Sequence, residues 1–98
     1  MEGVTFVELY ETPSAAATTS RWSLREVMIN PSYIICMRPD DRAPRLLKEG
    51  VLPEGLNGST RFTKVQMSRG NGGIDMTLVG DLSTIQGKIN SQRKVLNG

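Results

Sequence analysis

The densest run of residues able to do chemistry is Ser68-Arg69-Gly70-Asn71-Gly72-Gly73. A guanidinium beside a glycine-rich turn can hold a phosphate or stack on a base, and exposed backbone N–H groups can add to the grip. The same residues are also hairpin chemistry, because Gly and Asn accept positive φ, and on spacing alone a turn with a solvated Arg69 is the simpler reading. A second run, Asn30-Pro31-Ser32-Tyr33, offers an amide that can read a base edge and an aromatic ring that can stack on one. Its plainer reading is a turn followed by a core tyrosine. Arg61 and Lys64 lie near the start of the segment that leads into the first run, and Lys88, Arg93 and Lys94 follow toward the C-terminus. The last three can bind phosphate, or simply complement the negative end of a helix dipole.

What is missing narrows the chemistry further. The 98 residues contain no His and one Cys, so there is no His-based nucleophile activation, no His metal site, no internal disulfide and no Cys zinc site. Asp40-Asp41, with Glu49 and Glu54 nearby, lacks the spacing of a calcium loop, and Asp75 and Asp81 show no acid–base pairing. The expectation is a protein that is not an enzyme, with no metal and no cofactor. Net charge is only +2, but it is uneven. Residues 1–55 carry six basic and eight acidic side chains, whereas residues 56–98 carry six basic and two acidic. A basic C-terminal half suits an anionic partner, and equally a solvated surface.

Residues of these types need elements to position them. Thr5 to Glu11 alternates, with Phe6, Glu8 and Tyr10 on one face, and reads as a strand. Trp22 to Ile29 reads as a second, its phase slipping near Arg25-Glu26-Val27 as a bulge would make it. Asn30-Pro31-Ser32 is turn chemistry, and Tyr33 to Met37 is a short apolar run fit for a buried third strand, with Cys36 as a small core hydrophobe. Arg38 to Thr60 interrupts the strands: Asp41 is placed to cap a short helix that Gly50 ends, and Leu46, Leu47, Val51 and Leu56 could cover one end of the sheet. Arg61 to Arg69 and Ile74 to Val79 are the fourth and fifth strands, joined by the glycine turn. Ser83 and Gln86 form a capping-box pattern before a helix over Ser83 to Val95.

Residues 1–98 therefore read as one mainly β domain: a five-stranded, strongly bent antiparallel barrel with a C-terminal helix and a long loop between strands three and four. Hydrophobic content is 38% and aromatic content 5%, a thin core for a chain this short, so oligomerisation is a natural supplement. No apolar stretch approaches the ~20 residues of a membrane helix, and the N-terminus has no secretory pattern. With its free Cys36 the chain reads as cytoplasmic.

Val65-x-Met67-Ser68-Arg69-Gly70-Asn71, running on into Ile74-x-Met76, resembles the second motif of the Sm and Sm-like proteins. Met28-x-Asn30 resembles the end of their first motif. More broadly, Ile29-Asn30-Pro31-Ser32-Tyr33-Ile34, and Leu52-Pro53-Glu54-Gly55-Leu56 leading into Phe62-Thr63, resemble a family of small marine-metagenome proteins of cyanophage origin with an Sm-like fold. The chain departs from the Sm pattern in placing its helix last, in having Ser68 before Arg-Gly, and in lacking the glycine and aspartate of the first motif. The resemblance implies a homo-oligomeric ring in which the fourth strand of one subunit pairs with the fifth of the next. It implies single-stranded RNA, or DNA, bound by the turns after strands two and four. Here those are Asn30 on a base edge, Arg69-Gly70-Asn71 on phosphate or a base, and Tyr33 stacking. The alternative is a phage structural or assembly protein that uses the barrel for protein contacts only. In either case the expected setting is the cytoplasm, that of the host cell if the chain is phage-encoded.

Overall fold

The computed structural model describes residues 3–12, 21–53, 55–56, 58–69 and 72–97, with the backbone alone at 21, 69 and 92–97. The elements are β1 (Val4–Thr12), β2 (Arg21–Ile29), β3 (Ile34–Pro39), α1 (Arg42–Glu49), β4 (Phe62–Arg69), β5 (Gly72–Val79) and α2 (Leu82–Asn97). A one-turn 3-10 helix, Pro31–Tyr33, joins β2 to β3. The fold is mainly β, a five-stranded antiparallel sheet in the order β2-β1-β5-β4-β3 with two helices.

That order sets a geometric problem. Four successive antiparallel pairings leave β2 and β3, the two outer strands, pointing the same way. In a flat sheet they would lie about 19 Å apart, at about 4.8 Å per strand. The link from Ile29 to Ile34 reaches about 18 Å only if fully extended, and its 3-10 turn shortens it. The sheet must therefore bend strongly, and the side chains record the bend. Ile29 from β2, and Ile34 and Met37 from β3, pack on one core with Val4, Phe6, Val65, Met67 and Leu78. Closing the ring of strands would need a parallel β2–β3 ladder, and parallel pairs need a crossover of a dozen or more residues. Among the described residues, β2 and β3 each pair on one side only. Meanwhile β4 is laddered to β5 from Phe62↔Val79 to Arg69↔Gly72 and to β3 on its other side. The fourth-to-fifth pairing between subunits implied by the resemblance cannot form without breaking that ladder, which corrects the expectation. The available edges belong to β2 and β3.

The helices cover the two faces. On the inner face, Ile85 and Ile89 of α2 join the main core, and Lys88 donates to the Thr5 carbonyl with its ammonium 5.1 Å from the Phe6 ring. On the outer face, Ala43 of α1 packs with Leu9 and Phe62, flanked by Trp22, Leu52, Leu56 and Val79. The long loop is thus a cover, although Val51 stays exposed. On the inner face, two residues on from Phe6, Glu8 is buried on β1 directly opposite Arg25, whose Nε donates to its Oε1 at 2.9 Å. Arg25 also lies 4.1 Å from the Tyr10 ring.

Several local expectations shift by a residue. Asp41 takes the N-cap position of α1 but makes no side-chain cap bond; the capping side chain is Asp40, whose Oδ1 accepts from the N–H groups of Arg42 and Ala43 at 2.8 and 3.0 Å. Its Oδ2 accepts from the Thr77 hydroxyl at 2.9 Å, so one carboxylate ties α1 to β5. Gly50 ends α1 at φ 75, a left-handed conformation that favours glycine. The α2 cap is Asp81, which accepts from the Thr84 N–H at 2.7 Å, while Gln86 turns to Asn90 instead of closing a capping box. The β1–β2 ladder runs through nine pairs with no shift, so the bulge expected in β2 is absent. The register shift falls instead in β3, between Ile34 and Cys36. Past it the phase inverts: Met37 faces the core, and Cys36 lies beside Gln66 on the outer face rather than in the core.

Two outcomes follow from the caps. Asp40→Ala removes the α1 cap and the Thr77 tether together, and urea unfolding should show a loss of about 2 kcal/mol. The Thr84 hydroxyl and N–H hold the Asp81 carboxyl below its ordinary range. A carboxyl depressed in the folded state stabilises it above the unfolded value, and that contribution is lost as pH falls through the folded value. The stability advantage of wild type over Asp81→Asn should therefore be present at neutral pH and shrink as pH drops below about 4 in acid unfolding series.

Candidate nucleic-acid interface

The two turns singled out in the sequence meet through the β3–β4 register. Ile34 pairs with Met67, so the residues just before β3 lie alongside the last residues of β4, and the 3-10 turn packs next to β4. The β4–β5 ladder runs to Arg69↔Gly72, leaving only residues 70 and 71 to join these strands. The backbone thus carries Asn30, Tyr33 and Arg69 to one end of the sheet, although they are far apart in sequence. The Arg69 side chain, Gly70 and Asn71 lie outside the described residues.

At this end the chemistry is divided. Asn30 is the cap of the 3-10 turn: its Oδ1 accepts from the Ser32 N–H at 3.0 Å. Pro31 presets the backbone at the first position of that turn. With one lone pair of its oxygen committed to the turn, Asn30 keeps the amide NH2 to donate to a base edge. Tyr33, expected as a core tyrosine on the plainer reading, is 58% exposed, so its ring is available for stacking. Ile35 and Met28, exposed at 60% and 61%, flank the same turn in the chain.

The other basic candidates lie elsewhere. Arg61 precedes β4 at the opposite end, where its Nη1 donates to the Thr60 carbonyl at 3.4 Å. Lys64 stands exposed on the outer face of β4, opposite Arg38 of β3. Lys88 bridges α2 to β1 as described. Arg93 and Lys94 lie on α2, with side chains outside the described residues.

Sequence reasoning missed the outer face as a continuous surface. Arg38, Lys64, Gln66 and Asp75 line a cavity of about 150 Å³ there. A neighbouring cavity of about 100 Å³ shares Lys64 and is lined by Trp22, Arg42 and Asp40 among others. Arg42 sits 5.3 Å from the Trp22 ring. The Arg38 guanidinium donates to Cys36 Sγ at 3.3 Å and is held above its ordinary pKa, first by that sulfur and further by Asp75. Nothing in the sequence signals this surface, because it depends on cross-strand register. The two carboxylates within it temper its positive charge. Among the described residues, no group of three or more His, Cys, Asp or Glu side chains is placed to hold a metal ion. No helix among them is long and apolar enough to cross a membrane.

Comparison with known proteins adds no constraint: neither a family model, nor a curated protein, nor a solved structure matches the chain.

The cap role of Asn30 has a separable consequence. Asn30→Ala should cost about 1 kcal/mol in thermal or urea unfolding by freeing the Ser32 N–H. Asn30→Asp should keep most of that stability, because a carboxylate can accept the same bond.

Proposed function

We propose that the protein is a non-catalytic binder of single-stranded nucleic acid, RNA more than DNA, that works as a ring of copies in the manner of the Sm-like proteins it resembles. The observation that carries this reading is the juxtaposition of the Asn30–Tyr33 turn with the end of β4 that bears Arg69. An exposed tyrosine beside an arginine and a glycine turn combines a stacking platform with a phosphate ligand, the pairing that single-strand binders use. Tyr33 stacks on a base, Arg69 and the N–H groups of the glycine turn hold phosphate, and the Asn30 amide NH2 donates to a base edge.

A second reading, a phage structural or assembly protein, is favoured by one observation: large apolar side chains, Met28 and Ile35, stand exposed beside the two unpaired sheet edges. Such edges suit protein contacts without any nucleic acid.

Fluorescence anisotropy of labelled oligo-U and oligo-A, as RNA and as DNA, at two salt concentrations separates the two. Saturable binding that weakens as salt rises is expected. Arg69→Glu should abolish it, and Tyr33→Ala should weaken it by about tenfold, as loss of one stacked base implies. No binding, or binding indifferent to Arg69, contradicts the proposal and leaves the assembly reading.

A further inference from the structure

The ring reading requires a contact between copies, and β4 and β5 cannot supply it. Resting on that reading, we infer that the two unpaired edges are each other's partners: β2 of one chain pairs antiparallel with β3 of a second copy, in the register that sets Glu26 opposite Arg38. Within one chain this pairing is barred, since β2 and β3 run the same way and only Asn30–Tyr33 joins them. A second copy is free to present β3 in the opposite direction.

Side-chain faces select the register. On β2, Val27 and Ile29 face the core while Glu26 and Met28 are exposed on the other side. On β3 beyond its bulge, Met37 faces the core while Cys36 and Arg38 lie on the outer face. A continuous sheet keeps inner faces together, so allowed registers differ by steps of two residues. With Glu26 opposite Arg38, Val27 falls opposite Met37 and Met28 opposite Cys36, next to the bulged Ile35. The core then continues across the junction, opposite charges face each other, and the two most exposed large apolar side chains among the described residues, Met28 and Ile35, shield one another. One step in one direction sets Glu26 against Asp40, carboxylate against carboxylate. One step in the other sets the outer-face Met28 against Ile34, which belongs to the core.

The charges are available for this pairing. Glu26 is exposed and makes no ion pair among the described residues, where the ion pair present is Arg25 with Glu8. Arg38 is exposed, touches Cys36 and senses Asp75, and has no carboxylate in ion-pair contact among those residues. The bulge before Cys36 and the proline at 39 blunt β3 on either side, leaving residues 36–38 as the segment that can accept a strand. The contact joins two different patches, so it repeats head to tail and closes into a ring when the rotation allows.

Light scattering coupled to size exclusion tests this on the full chain, with Glu26→Arg, Arg38→Glu and a 1:1 mixture of the two, each checked for folding by circular dichroism. Wild type should be a multimer. Each single variant sets like charges face to face and should associate about tenfold more weakly or worse. The mixture should associate again, since each junction between unlike variants pairs opposite charges. Single variants with wild-type mass, or a mixture that stays dissociated, overturn the pairing while leaving a ring built through other contacts. A monomeric wild type overturns both pairing and ring. Oligo-U anisotropy on the same samples reads strand binding separately, so its failure is not confused with failure of the edge contact.

Discussion

Five antiparallel neighbours leave the outermost strands parallel, and only four residues, Asn30–Tyr33, join them. Most of the molecule answers to that constraint. The sheet has to bend until Ile29 and Ile34 reach the same core, and α2 then covers the inner face with Ile85 and Ile89. The connection has to be tight, which explains a 3-10 turn capped by Asn30 and opened by Pro31. Because that turn is short, its exposed Tyr33 is delivered directly to the start of β3 and so to the end of β4. The proposed site is a consequence of how the sheet turns its sharpest corner.

The same constraint explains why the edges stay free. An odd number of antiparallel strands cannot close on itself with antiparallel bonds throughout, and among the described residues β2 and β3 each keep one edge without a ladder. A thin core makes such edges useful, since a neighbour that completes them also buries Met28 and Ile35. Stability, assembly and strand binding would then share the eight-residue segment from Met28 to Ile35.

Much of this was legible in the residues. Alternation marked four strands and a short apolar run the third, Asn-Pro-Ser marked the corner, and Gly70–Gly73 marked the last hairpin, because those signals are local. What failed depended on register. Cys36 reads as a core residue from its apolar neighbours, but the bulge at Ile34/Cys36 inverts the phase and turns it outward. Arg25 looked like a phase slip in β2, yet it is where it is because it faces the buried Glu8 across the ladder. The side chain that caps α1 is that of Asp40 rather than Asp41, and it also accepts from Thr77, a long-range bond invisible in sequence. For the site, residue types were readable but their meeting was not: Asn30 and Tyr33 come beside Arg69 only through Ile34↔Met67. The outer surface around Lys64, Arg38 and Trp22 was missed for the same reason.

The most direct measurement is a titration of oligo-U RNA into isotopically labelled protein, followed by amide chemical shifts residue by residue. If the strand lies across the corner, shifts concentrate at residues 30–35 and 68–73 and leave α1 and α2 still. Shifts confined to the helices or to the outer face around Lys64, or no shifts at saturating RNA, would contradict a site at the corner.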